Sequence, residues 1–162
     1  NLKLKNCVQS ILHNSIIMRS FSYIFILSLF LLLPFLGNAQ CKNFAKKVCK
    51  LELNPYIHDG NFNAAILTEG EDAELFKTFY AGQEYRISVC GSESIPTVEF
   101  VVMDVDRKVL YTNAKNNFAT SWDFKVEATQ QLIIVVKVPT SNDKNSEIQS
   151  GCVAIMFGLK TD

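Results

Sequence analysis

The sequence predicts a mainly β protein: an antiparallel β-sandwich or jelly roll of about eight strands, with a short N-terminal helix. Three observations predict it. Short apolar stretches recur between residues 64 and 159, and in the plainest of them Tyr85, Ile87 and Val89 alternate with Arg86, Ser88 and Cys90, the period of a half-buried strand. Turn signals such as Ala81-Gly82-Gln83 separate the stretches. The run Leu132–Val138 (LIIVVKV) is β-branched and reads as buried on both sides.

The elements follow in order. From Cys41 to Leu53, Phe44, Val48 and Leu51 stand at helical spacing with Lys42, Lys46 and Lys50 opposite. Asn54-Pro55 ends that helix. His58-Asp59-Gly60-Asn61 is a turn. Strands are expected at Ala64–Leu67, at Glu74–Tyr80, and through Tyr85 to Cys90. Val98–Val105 is next, and Asp106-Arg107-Lys108 turns it into Val109-Leu110-Tyr111. Trp122, Phe124 and Val126 alternate with Asp123, Lys125 and Glu127, which aims Trp122 at the core. Thr140–Ser150 is a polar loop, and Cys152–Leu159 closes the chain. Strands of this number and spacing are the pattern of a sandwich.

Residues 18–39 read as an export signal. Met18-Arg19-Ser20 is a short basic start, Tyr23–Leu36 is an uncharged apolar run, and Gly37-Asn38-Ala39 offers small residues before a cut. The run of 14 residues falls short of the roughly 20 that span a membrane. Gln40 stands before Cys41, where a lipid-attachment signal has a small residue. Residues 1–17 are expected to be an upstream extension, and residues 40–162 a single sandwich domain. The chain has 16 basic and 16 acidic residues. The first 39 residues hold Lys3, Lys5 and Arg19 and no acid, so the expected mature domain carries 13 basic against 16 acidic residues, net −3. That balance argues against a nucleic-acid partner.

Four cysteines fall in the expected mature domain: Cys41, Cys49, Cys90 and Cys152. An even number in an exported chain predicts two disulfides. Eight helical positions separate Cys41 from Cys49, a rise of about 12 Å that no disulfide spans. Both are therefore expected to pair outward, to Cys90 and Cys152, in an order the spacing leaves open. One histidine in that domain, His58, and no CxxC leave no zinc set.

Phe79-Tyr80-Ala81-Gly82-Gln83-Glu84-Tyr85-Arg86-Ile87-Ser88-Val89 resembles the segment of bacterial pre-peptidase C-terminal domains in which an aromatic residue precedes Gly-Gln-x-Tyr-x-Ile-x-Val. Phe100-Val101-Val102-Met103-Asp104 resembles the strand that follows there, so the likeness covers about residues 75–158. It implies a non-catalytic jelly-roll module; such modules are often appended to secreted enzymes, and some bind collagen or polysaccharide. The helix, the cysteines and the lack of an enzyme part within these residues depart from that pattern. The ending Asn38-Ala39-Gln40 resembles signal peptides of Bacteroidota.

Candidate chemistry is sparse. His58 lies in a turn with no nucleophile motif beside it. The acidic run Glu69-Gly70-Glu71-Asp72-Ala73-Glu74 offers paired carboxylates to a hydrolase, though a solvated turn explains it as well. Asp104 and Asp106 share one side of a strand end and are weak candidates for Ca²⁺; no metal or other cofactor is otherwise implied. Tyr80, Tyr111 and Trp122 are the candidate contact residues for a protein or glycan, Tyr80 and Tyr111 ending strands and the more open to solvent. The expected function is a secreted or periplasmic, disulfide-stabilised binding or accessory module, not an enzyme and not embedded in a membrane once the leader is removed. The competing expectation is a hydrolase using the carboxylates of residues 69–74. An exposed apolar patch favours the first, and a pocket holding two of those acids favours the second.

Overall fold

Nine strands form among the described residues, which in this computed structural model are 36–95, 97–141 and 147–161, with side chains from Gln40 onward. The expected leader and the upstream extension therefore lie outside the described residues, apart from the backbone of 36–39. Gly37–Asp162 forms one compact unit.

One sheet joins β1 (Ile57–His58), β2 (Asn63–Thr68), β4 (Glu84–Gly91), β7 (Ser121–Lys125) and β9 (Ser150–Leu159). Its order is β1-β9-β4-β7, with β2 also on β9. The other joins β3 (Asp72–Phe79), β5 (Glu99–Met103), β6 (Val109–Thr112) and β8 (Gln130–Lys137) in the order β3-β8-β5-β6. Every pairing is antiparallel. This is the expected mainly β sandwich. The strand beyond the expected eight is β1, formed because His58 pairs with Gly158 before the turn begins at Asp59.

The core lies between the sheets. Ile87 and Val89 of β4, Phe100 and Val102 of β5, Leu132, Ile134 and Val136 of β8, and Val153, Ile155 and Phe157 of β9 point into it. At one end Phe79 meets Tyr85, Phe124 and Phe157 edge-on, with ring centroids 4.9, 5.2 and 5.8 Å apart, the geometry aromatic quadrupoles favour. Trp122 continues this cluster, stacked on Phe124 at 4.4 Å and on Tyr111 at 4.8 Å.

The first sheet is covered on its outer face. Helix α1 (Leu36–Lys47) and a 3-10 turn (Cys49–Leu53) lie there, and Ala45, Cys49 and Leu53 bury Cys90, Ala154 and Met156 beneath them. The helix expected from Cys41 to Leu53 thus divides. The α-helix ends at Lys47, the Val48 amide still donating to the Phe44 carbonyl at 2.9 Å, and a tighter 3-10 turn carries the chain on to Asn54. Both cysteines pair outward as the spacing argument requires: Cys41 with Cys152 and Cys49 with Cys90, at Cα separations of 5.1 and 6.0 Å.

Polar contacts hold the rest of the cover. Arg86 grips Asp123 with two hydrogen bonds of 2.7 Å, donates a third of 2.7 Å to the Asn54 carbonyl, and lies over the Tyr56 ring. The Tyr56 hydroxyl donates to Glu84, and burial is the first reason its pKa is pushed up, with Glu84 adding to it. Tyr56 seats on β9 at Gly158, where an added Cβ would stand 2.6 Å from the Tyr56 Cβ.

Candidate binding surface

The outer face of the second sheet has no such cover among the described residues. Cross-strand partners share a face, and the registers arrange this one in rows. Phe76 of β3 lies opposite Ile133 of β8, Ile133 opposite Met103 of β5, and Met103 opposite Val109 of β6. In the next row stand Glu74, Val135, Val101 and Thr112. An apolar strip therefore crosses all four strands. Its ends are open, Phe76 being 53% and Val109 54% exposed. Polar and charged residues flank it: Thr78 and Gln131 on one side, Asp72, Lys137 and Glu99 on the other.

Arg107 lies on this face. It sits in the β5–β6 hairpin loop at φ 61°, a left-handed conformation unusual for a residue with a side chain. Its guanidinium donates to both Glu74 carboxylate oxygens, at 2.8 and 3.1 Å. Those hydrogen bonds hold the Glu74 carboxyl below its ordinary pKa and push the guanidinium up. Glu74 is on β3 and the hairpin belongs to β5 and β6, so the Arg107 arm crosses β8 to reach it. Ile133, in the middle of this face, is 3% exposed.

Each residue singled out in the sequence has a definite place. Asp104 caps the hairpin loop, its carboxylate accepting the amides of Asp106 at 3.0 Å and Lys108 at 2.9 Å. This Asx-type turn gives Asp104 a structural task, and Asp106 is exposed. No group of three or more potential metal ligands occurs among the described residues. His58 is committed to its turn: Nδ1 accepts the Gly60 amide at 3.2 Å and Nε2 lies 3.0 Å from the Asn61 carbonyl. Both ring nitrogens are thereby used. In the acidic run, Glu71 accepts the Thr68 amide and Glu69 the Ser141 amide. The cavity that Glu69 lines, at Val138 and Pro139, and the one that Glu74 lines, between β2 and β3, each hold one carboxylate of the run. Carboxylates bonded to backbone and to Arg107 are poorly placed for acid–base work.

Of the three aromatic candidates, Tyr80 is exposed. Trp122 is half-buried and packs against the core, as its alternation predicts. Tyr111 is the correction: it is no open strand end but half-buried, stacked on Trp122, with burial raising its pKa. The structure brings Tyr111 and Trp122 together through that stacking. The sequence reasoning passed over Phe76, Met103, Val109 and Arg107. The signal was apolar residues at both strand phases, as in Leu75-Phe76 and Val101-Val102-Met103.

No family model matches the chain, and no curated protein matches it. Among solved structures it is similar to PliG of Aeromonas hydrophila, a periplasmic inhibitor of g-type lysozyme, at 14% identity over 65% of this chain and 89% of that one, with a TM-score of 0.44. That likeness is too slight to carry a function across.

Proposed function

We propose that this chain is an exported, disulfide-stapled binding module without a reaction of its own, and that it holds a protein partner on the open face of its second sheet. One observation carries the reading: the apolar strip from Phe76 to Val109 is open at both ends, with Ile133 recessed between them, in a domain whose opposite outer face is sealed. Exposed, contiguous apolar surface rimmed by polar groups marks an interaction site. Aliphatic residues at its centre and charges at its rim match the anatomy of a protein interface. A glycan would call for open aromatic planes, and Tyr111 and Trp122 are stacked on each other.

The two disulfides support export, because such bridges persist in oxidising compartments; residues 18–39 are the leader in this reading, and the working domain begins at Gln40. The orders β2-β9-β4-β7 and β3-β8-β5-β6 support a jelly-roll winding. The test is capture from the extracellular and periplasmic fractions of the producing organism, with the disulfide-intact domain as bait. A partner is expected to stay bound at about 0.5 M salt, where surface charge pairs are screened. The double variant Phe76→Glu, Val109→Glu is expected to lose it while keeping both disulfides and its melting temperature. Capture indifferent to that variant, or no partner at all, overturns the proposal.

A further inference from the structure

The side of the sandwich where β2 and β3 lie adjoins the open face and shares Glu74 and Phe76 with it. Among the described residues, strand β3 pairs with β8 along one edge only. The Val138 amide donates to the Glu71 carbonyl at 3.0 Å, which sets the phase of that ladder. Continued along β3, the alternation of an antiparallel pair leaves the amides and carbonyls of Asp72, Glu74, Phe76 and Thr78 on the free edge. This edge is eight residues long with no proline. The opposite edge of the same sheet, β6, has four residues and a register shift beside it at Val102/Met103. Short and bulged edges are protected against strand addition; long regular ones are templates for it.

Beside this edge is a slot between the sheets, of about 140 Å³. Ala65 and Leu67 of β2 and Ala73 and Leu75 of β3 form its walls, and Val136 and Val153 lie deeper. It exists because the two inward positions that face each other across the edge, Ala65 and Ala73, carry only a methyl group. A cavity of about 150 Å³ holds a benzene-sized group, so this slot has room for one leucine or isoleucine side chain. The charge nearby is mainly acidic: Glu69, Glu71, Asp72, Glu74 and Asp59 stand against Arg107, which pairs Glu74, Lys77, which pairs Asp59, and Lys137, which lies opposite Asp72.

We propose that this edge takes an extended, basic peptide segment of another protein, added antiparallel to β3, with one aliphatic side chain seated in the slot. This is the strand-addition mode, in which backbone hydrogen bonds give affinity and a pocket for alternate side chains gives specificity. The register follows from the residues. The segment's residue opposite Ala73 turns inward and fills the slot. Those opposite Asp72 and Glu74 are Lys or Arg, and the one opposite Phe76 is apolar. Read from its N-terminus, the segment is apolar–x–basic–aliphatic–basic. Acidic side chains on the free edge oppose a second copy of β3 in registers that bring Asp72 or Glu74 together, and favour a basic strand.

The experiment uses the disulfide-intact domain and the capped peptide TVTKLKT, followed by amide hydrogen exchange and methyl NMR. Expected are slowed exchange at Asp72, Glu74, Phe76 and Thr78 and shifted methyl signals of Ala65 and Ala73. The peptide TVTKSKT is expected to bind roughly tenfold or more weakly, the loss for an aliphatic side chain left in water. Ala73→Leu, which fills the slot from within, is expected to abolish binding of TVTKLKT. No protection at millimolar peptide, protection along β6 in its place, or equal binding of the two peptides overturns the proposal. Val109→Glu separates it from the open-face reading: that variant loses the captured partner and keeps the peptide.

Discussion

Asn113 is buried to 1% exposure and spends its whole side chain on backbone. Its carbonyl accepts the Phe100 amide at 2.8 Å, and its amide donates to the Val98 carbonyl at 2.9 Å and to the Ala119 carbonyl at 3.3 Å. It thereby joins the start of β5 to the connection between β6 and β7. Asn113→Ala leaves those groups buried without partners, a loss of about 3 kcal/mol, to be read from urea unfolding followed by Trp122 fluorescence. Asp123 gives a residue-scale prediction about pH. Its hydrogen bonds to Arg86 hold its carboxyl below the ordinary value, against the burial that raises it. The folded protein therefore binds that proton less readily than the unfolded chain does. The stabilisation is complete above the unfolded carboxyl pKa of about 3.9 and is lost as pH falls through the lower folded value. Melting temperature measured from pH 7 downward should fall below pH 4 in the native protein, and less steeply in Asp123→Asn. An equal slope in both would show that the pair carries no linkage.

At the scale of elements, the cover on the first sheet depends on its two crosslinks. Cys49–Cys90 closes a loop of 41 residues and Cys41–Cys152 one of 111. In the chain-entropy description these contribute about 4 and about 5 kcal/mol. Replacing Cys49 and Cys90 by Ala should lower stability by the smaller amount and Cys41 and Cys152 by the larger, read by denaturant midpoints at unchanged slope. The outward pairing was legible because helix rise alone forbids a Cys41–Cys49 bridge; the order of partners was not, since it depends on where β4 and β9 meet. The second sheet shows what alternation misses. Leu132–Val138 reads as buried on both sides, yet only Leu132, Ile134, Val136 and Val138 face the core. Ile133 is 3% exposed although it stands on the outer face, and on that face Arg107 reaches Glu74 two strands away from its own hairpin; no local pattern carries either. The same holds for Asp104: its position at a strand end was legible, and its task as a loop cap became visible only with the hairpin geometry.

The unit from Gly37 onward has two sheet layers and a cover on one of them, and the layers and the cover have different reasons for staying folded. The sandwich is held by its own core. Helix α1 has 12 residues, of which eight, Gln40–Lys47, remain in the domain from Gln40; that is below the length at which isolated helices are even marginal in water, and it contributes little to the buried cluster beyond Ala45 and the partly buried Phe44. It should therefore open locally far more often than the sandwich unfolds. Lys42, Lys46 and Lys47 are exposed on it and all lie between Cys41 and Cys49, so brief trypsin treatment of the domain from Gln40 should cut there first. The topology of that cut gives a sharp expectation. Cys41 then hangs on a short piece joined to Cys152, and its bridge no longer closes any loop of the main chain. Cys49–Cys90 still closes its own. The nicked protein should keep its mass on a non-reducing gel and its native Trp122 emission, because the core around Trp122 is untouched. It should melt with the Cys41→Ala, Cys152→Ala variant and not with the intact protein. A nicked form that melts with the intact protein would mean that the bridge acts through native contacts and not through the unfolded chain. Loss of native emission on nicking would mean that the sandwich needs its cover to fold.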